Sequence, residues 1–482
     1  METFIKVPDA TADTAAHATG PVLDLDWEFI KVQLPDDWRE VADQMGLVRP
    51  HPPHLRAKIT DIEQVLRLEL QRVALESSLV ITTARSRAAK QIREDDGIAT
   101  TDPSAPVDLS APSLHDWERK LGPYFAVLHA RMAKAGESFA PDLWGGYDLM
   151  VADGTTVTRP GAKGTTARVL YALHLVDMTI PQQKVTDAHG SESLRQFVVK
   201  PEQLWIANRG YSNPEDIAHV KDAGGEVLVR VNRGALPLYD VAGRLIDVMD
   251  LVRSLEQPWA TTEWTMWVQP ADHEPIMGRL CAMRLPDKEA EQARQRLRRE
   301  YGAEATPGML AAASWVMEFV TAPARRIPLP KVFELYRLRW QVEIQIHRDK
   351  SIGGIGKLPN FRADTIATWL SAKLLLQQIA RKIVSPAVAL PPQPPESAAQ
   401  PSTSPSKVRD ALRLLQHEIV AEMWRVMVFV HQALCAALNP IALRDVPRAV
   451  SAYVEHLSRR NEQTRPKQIE RFLLELVPVP GS

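Results

Sequence analysis

Within KVFELYRLRWQVEIQIHRDKSIGG (Lys331–Gly354), four side chains have the types and spacing to do chemistry together. With Tyr336 at zero and roughly 100° per residue, Arg339 falls near about −60°, Glu343 near about −20° and Lys350 near about −40°. On one helix a phenol, a guanidinium, a carboxylate and an ammonium would then share a stripe about 21 Å long. Leu335, Leu338 and Val342 lie elsewhere around the axis and can face a core. A carboxylate among cations suits a divalent ion beside a polyanion: the acid holds the metal while the cations hold phosphates. The plain alternative is a solvated helix carrying an Arg339–Glu343 i,i+4 pair.

The elements that must position such a site begin at Tyr147. YDLMVADGTTVT is an apolar strand ending at Asp153-Gly154, which in isolation reads as a turn. TARVLYALHLVDM and QKVTDAHG are two further strand candidates. LWIANRGYSNPEDIAHVKDAGGEVLVRVNRG reads as strand, loop, helix and strand, with Asn213-Pro214 opening the helix and Gly224-Gly225 closing it. Strands joined by crossover helices predict an α/β core over 141–234 and 326–390. Residues 235–325 read as a β-rich insertion with one charged helix. Residues 1–20 read as disordered and 21–140 as a helical region suited to DNA binding, including a helix capped by Ser113. Residues 391–406 are a Pro/Ser linker, and 407–482 a helical C-terminal region.

Over the 482 residues, 58 basic side chains face 59 acidic ones, so a sequence-blind polyanion binder is disfavoured and nucleic-acid contact would need local patches. Ala293–Gly302 and Ser458–Gln468 are basic stretches of that kind, although charge runs are usually solvated faces. Two cysteines, Cys281 and Cys435, allow no disulfide framework, and the start lacks the basic-then-apolar build of a signal peptide. MWRVMVFVHQALCAAL contains Arg425 and His431 and reads as a core helix. These features predict a cytoplasmic protein with no membrane association.

The spacing Tyr336, Arg339, Glu343, Lys350 resembles the Y-(2)-R-(3)-E-(6)-K signature of the insertion-sequence-four group of DDE transposases. VADGTT is similar to that family's first acidic motif and LWIANRGY to its second; the resemblance spans about residues 145–360. It implies an RNase H-like mixed sheet flanked by helices, with a β-rich insertion between the second and third acids. It also implies a bacterial enzyme that is nucleoid-associated when bound. Three carboxylates would hold two Mg²⁺ ions, with Mn²⁺ as the usual substitute. One ion activates water or a DNA 3′-OH; the other stabilises the leaving oxygen. The implied partners are double-stranded DNA with terminal inverted repeats, target DNA and a second copy of the chain. By the same resemblance Asp153 and Glu343 are the first and third acids. Tyr336, Arg339 and Lys350 grip phosphates, while Trp315 and Trp340 stand near a base flipped from the element's end. Core packing is the competing role for both tryptophans.

The second acid is missing, and Asn208 stands in its place. An amide keeps the shape but removes the charge, so weak or absent cleavage is expected. Asn208 is an inactivating change, or Asp187 or Asp216 substitutes for it. Asp216 in a first helical turn is better explained by the helix dipole. The competing reading is a non-catalytic, transposase-derived DNA-binding protein or inhibitor.

Overall fold

The computed structural model describes residues 26–47, 59–98, 102–132, 145–175, 178–358, 363–388, 424–441, 445–459 and 472. The segments 1–20 and 391–406 and nearly all of Ser458–Gln468 lie outside the described residues. The helices before the first strand are α1 (Trp27–Val32), α2 (Trp38–Gln44), α3 (Ile62–Ala74), α4 (Leu79–Asp95) and α5 (Ala111–Met132). Their starts follow capping chemistry. Asp26, Asp61 and Ser78 accept hydrogen bonds from the first-turn amides of α1, α3 and α4. The stretch between α3 and α4 turns at Glu76, whose φ of 49° ends the first helix. α5 begins two residues earlier than its expected cap: the amide of Ser113 donates to Ser110 Oγ at 3.3 Å, so Ser110 has the capping role assigned to Ser113.

The strands are β1 (Asp148–Val157), β2 (Ala167–His174), β3 (Gln182–Asp187), β4 (Gln203–Ala207), β5 (Glu226–Arg230), β6 (Thr261–Val268), β7 (Ile276–Arg284) and β8 (Trp315–Val320). Between and after them come α6 (Pro214–Asp222), α7 (Val248–Val252), α8 (Asp287–Tyr301), α9 (Pro307–Ala312), α10 (Leu329–Arg337) and α11 (Trp340–Ser351). Among the described residues, eight strands form one mixed sheet in the order β3-β2-β1-β4-β5-β8-β7-β6. β1, β4 and β5 run parallel, whereas β8 and β7 add antiparallel. Continuous apolar runs such as LWIA and VLV suit the parallel centre, where residues of both faces are buried. This is the RNase H-like mixed sheet. The strands of the expected insertion, β6 to β8, are the last three strands of the same sheet, joined to it by β8 against β5.

The remaining helices are α12 (Ala363–Val388), α13 (424–438) and α14 (Val446–Arg459). α13 is the core helix expected from its sequence, burying Met427, Val430, Leu434 and Leu438. Among the described residues, no helix is long and apolar enough to cross a membrane. The chain divides into a sheet unit, holding described residues 145–156 and 168–346, and a helical unit, holding those within 26–132, 157–167 and 347–472. Residues 347–388 therefore group with the N-terminal helices, where the sequence had placed them in the α/β core. Within the helical unit α12 packs along α5 and α3, and a Cβ on Gly122 would lie 2.6 Å from Thr368 Oγ1. Arg72 is fully buried with Glu69 and Glu118 as its ion-pair partners. α14 and Phe472 pack on α4, and Tyr453 and Phe472 stack 4.2 Å apart.

Candidate active site

Sheet register sets the site. Ala152 of β1 pairs with Ala207 of β4, and Ala207 with Val229 of β5. Asp153 and Asn208 follow those alanines, so they stand side by side, with Arg230 next in line and Glu318 of β8 opposite Arg230. Laterally paired residues share a face of the sheet. Asn208 Nδ2 donates to Asp153 Oδ1 at 2.8 Å, and Asn208 Oδ1 accepts from the Gly210 amide at 2.6 Å. Asp153 Oδ1 also accepts from the Gly154 amide at 2.8 Å.

Glu343 reaches this row through Arg339. The segment expected as one helix is broken: α10 ends at Arg337 and α11 begins at Trp340. Across the break the amides of Leu338, Arg339, Gln341 and Val342 donate to carbonyls three residues back, a 3₁₀-type tightening. Arg339 Nη1 donates to Asp153 Oδ2 at 2.9 Å and Nη2 to Glu343 Oε1 at 2.5 Å. The guanidinium thus lies between the two acids. Burial opposes its charge, but Tyr336, Glu343 and Asp153 together hold it above its ordinary pKa. Burial pushes Asp153 up to about 6; Arg339 and the Gly154 amide work against that rise.

Tyr336 lies against the guanidinia of Arg339 and Arg230, 5.7 and 6.0 Å from its ring centroid. Burial raises its hydroxyl well above the usual phenol range. Lys350 occupies the last turn of α11, and burial lowers its pKa. Trp340 opens α11 and is half-buried. Trp315 packs against the core; its indole donates to the Leu255 carbonyl at 3.4 Å, and Arg284, its cross-strand partner, covers the ring at 5.1 Å.

Neither aspartate considered as a substitute for Asn208 reaches it. Asp187 accepts the amides of His189 and Gly190, both at 2.9 Å, in an exposed turn. Asp216 is fully buried and accepts Ser193 Oγ at 2.5 Å and the Leu194 amide at 3.0 Å. The basic stretch on α8 is internally paired in part, with Arg294 and Arg298 both on Glu291. Two acids escaped the sequence reading. Glu192 comes close to Gly154 and Gly210, and fully buried Glu318 reaches toward Arg230, whose Nη1 is 3.8 Å away. Burial pushes Glu318 up to about 8 in spite of Arg230, Arg339 and Arg209. A charged residue inside the apolar strand WVMEFV was a usable signal for Glu318; Glu192, in a polar loop, offered none.

Residues 144–375, which contain every member of this row and Arg339 and Glu343, match the family described as Transposase DDE domain. The chain carries a transposase DDE domain. Among relatives, the transposase InsL named for insertion sequence element IS186A of Escherichia coli (strain K12) is 27% identical over 295 residues, 59% of this chain and 79% of the relative. The transposase for insertion sequence element IS421 of Escherichia coli is likewise 27% identical over 295 residues, covering 78% of its length.

DDE domains depend in general on divalent metal. Among the described residues, no three carboxylate, imidazole or thiolate side chains stand close enough to enclose an ion, because Arg339 lies between Asp153 and Glu343. The donors nevertheless fit a hard cation in kind. Asp153, Asn208 and Glu343 offer oxygen, with no sulfur or imidazole among them.

Proposed function

We propose that this chain is a cut-and-paste DNA transposase that hydrolyses phosphodiesters at the ends of its element and joins the 3′-OH to target DNA. The observation that carries this reading is the meeting of Asp153, Asn208, Arg339 and Glu343 at one end of the sheet, from segments up to 190 positions apart in sequence. Asp153, Asn208 and Glu343 would hold divalent ions, Mg²⁺ by preference. Such ions, when bound, activate the attacking oxygen and offset charge on the leaving one. The protein's own part is positioning. Arg339 neutralises the two acids in the free protein and turns to a phosphate when DNA arrives, where its fork can bind two oxygens. Lys350 and the half-buried Tyr336 extend the phosphate track, and Trp340 is the aromatic we place near the end base. Trp315 is assigned to packing, because Arg284 and the Leu255 carbonyl occupy its ring and its N–H.

The ends are inverted repeats held by two copies of the chain at the nucleoid, with the N-terminal helices contributing DNA contact. The Asn208–Asp153 hydrogen bond favours a second reading. The amide satisfies Asp153 without any cation, as a transposase-derived binder without cleavage would. Nicking of an end-bearing duplex with Mg²⁺ or Mn²⁺ decides between them. Cleavage by the chain as it stands excludes the second reading, and cleavage only after Asn208→Asp supports it. End-specific binding with no cleavage by either form would overturn the transposase proposal.

A further inference from the structure

Gln257-Pro258-Trp259-Ala260 closes as a β-turn, with the Ala260 amide donating to the Gln257 carbonyl at 3.0 Å. Pro258 fixes the second position, and Trp259 at the third has a φ of 65°. That is the pattern of a type II turn, whose third position ordinarily takes Gly or Asn. A bulky side chain is poorly suited to this backbone. β7 holds the turn in place: the Trp259 amide donates to the Arg284 carbonyl at 2.9 Å, and the Arg284 amide to the Ala260 carbonyl at 3.0 Å. Burial does not offset the strain, because Trp259 is 52% exposed. Strained residues of this kind concentrate at binding and catalytic sites.

Register places this residue at the end of the sheet that carries the candidate active site. Glu318 of β8 pairs with Arg230 of β5 on one side and Cys281 of β7 on the other, and Cys281 pairs with Glu263 of β6. The row that starts at Asp153 and Asn208 therefore runs on to Glu263. Trp259 stands four residues before Glu263, off the same end as Asn208. Four strand spacings separate β4 from β6, about 19 Å at roughly 4.8 Å each. At this end Trp315 has its ring under Arg284 and its N–H on the Leu255 carbonyl. Trp259 has no ring or cation contact among the described residues. Ser254, Glu256, Gln257 and Thr261, exposed neighbours along the chain, are polar. A docked protein would call for a contiguous apolar patch. A single flat aromatic among polar groups suits a nucleobase.

We propose that Trp259 is a base-stacking residue that holds an unpaired nucleobase of the DNA, about six base steps of roughly 3.4 Å from the phosphodiester that Asp153 and Asn208 would address. The inference rests on the DNA-cutting reading of the site and adds to it a contact that senses strand opening. A base inside a duplex hides both faces in the stack, so only an unpaired one can lie on the ring. Stacking of this sort tolerates any sequence, since every base has a π-face.

The test is binding of the full-length protein to an end-bearing duplex, fully paired or opened by mispaired thymines about six base pairs to either side of the cut. Fluorescence anisotropy follows binding, and thermal melts verify folding. The parent should prefer an opened duplex, and Trp259→Gly should weaken that complex about tenfold while changing affinity for the paired duplex less than about twofold. This variant should melt no lower than the parent, because glycine accepts the backbone that tryptophan strains. Trp259→Tyr keeps a ring and should retain most of the preference. Trp259→Asn, also suited to positive φ, takes the place of the glycine variant if that one folds poorly. A parent without preference for either opened duplex, an equal loss on paired and opened DNA, or a change of oligomeric state with DNA binding intact overturns the role of Trp259 while the DNA-cutting reading stands. A parent that binds none of the duplexes overturns both.

Discussion

Arg339 holds two acids in the free protein and, on our reading, a phosphate in the DNA complex. Its removal should therefore have effects of opposite sign. Arg339→Ala frees Asp153 and Glu343, so Mn²⁺ affinity without DNA should rise, while affinity for an end-bearing duplex should fall by about 1.5–3 kcal/mol, the worth of hydrogen bonds to a charged group. Parallel Mn²⁺ and duplex titrations check this; a fall in both would mean the guanidinium only supports the fold. Asn208→Asp is the complementary case. It replaces an amide that donates at 2.8 Å with a second carboxylate against Asp153. The metal-free protein should lose about 1–3 kcal/mol, and Mn²⁺ should raise its melting temperature by more than that of the parent, since only the native state gains the ion. Equal responses in a calorimeter would contradict a metal role for position 208.

At the scale of elements, the break between α10 and α11 decides where Arg339 points. Uninterrupted helix would have kept Arg339 and Glu343 on a stripe of their own; the tightened turn sends the guanidinium across to β1. Helix contacts are equally exacting in the helical unit. At Gly122 a β-branched residue would strike Thr368, which is itself buried. Gly122→Val should cost about 1–3 kcal/mol through overpacking, and Thr368→Ala, by removing the atom in the way, should recover part of it. Urea unfolding of the two single variants and the double variant measures the coupling. Additive costs would mean that α5 and α12 do not meet at this point.

At the scale of the molecule, the two units should answer pH in opposite directions. Glu318 in the sheet unit is pushed up to about 8 by burial, so between about 4.5 and 8 the native state keeps a proton that the unfolded chain releases. Stability then falls as pH rises through that window. His431 in the helical unit is pushed down to about 4 by burial and by Lys373. Between about 6.5 and 4 the unfolded chain takes up a proton that the native state refuses, so stability falls as pH drops. Calorimetry from pH 5 to 8 should show the sheet unit melting lower as pH increases, with a gentler slope in Glu318→Gln. An unchanged slope in that variant would remove Glu318 as its source.

How much of this was legible depends on the reach of each signal. Apolar runs bounded by Asp153 and Asn208 marked β1 and β4, and the spacing of Tyr336, Arg339, Glu343 and Lys350 marked the third contributor. These patterns are local, written in residues a few positions apart, and the sequence by itself determined them. Tertiary structure alone decided that Arg339 bridges Asp153 and Glu343, that Glu192 enters between Gly154 and Gly210, and that Glu318 joins the same row. It alone also brought α12 to α3 and α5 and buried Arg72 with Glu118. Each depends on lateral register or on the packing of segments distant along the chain. Composition and periodicity carry no record of such contacts, because the free energy that selects them arises only when the segments meet.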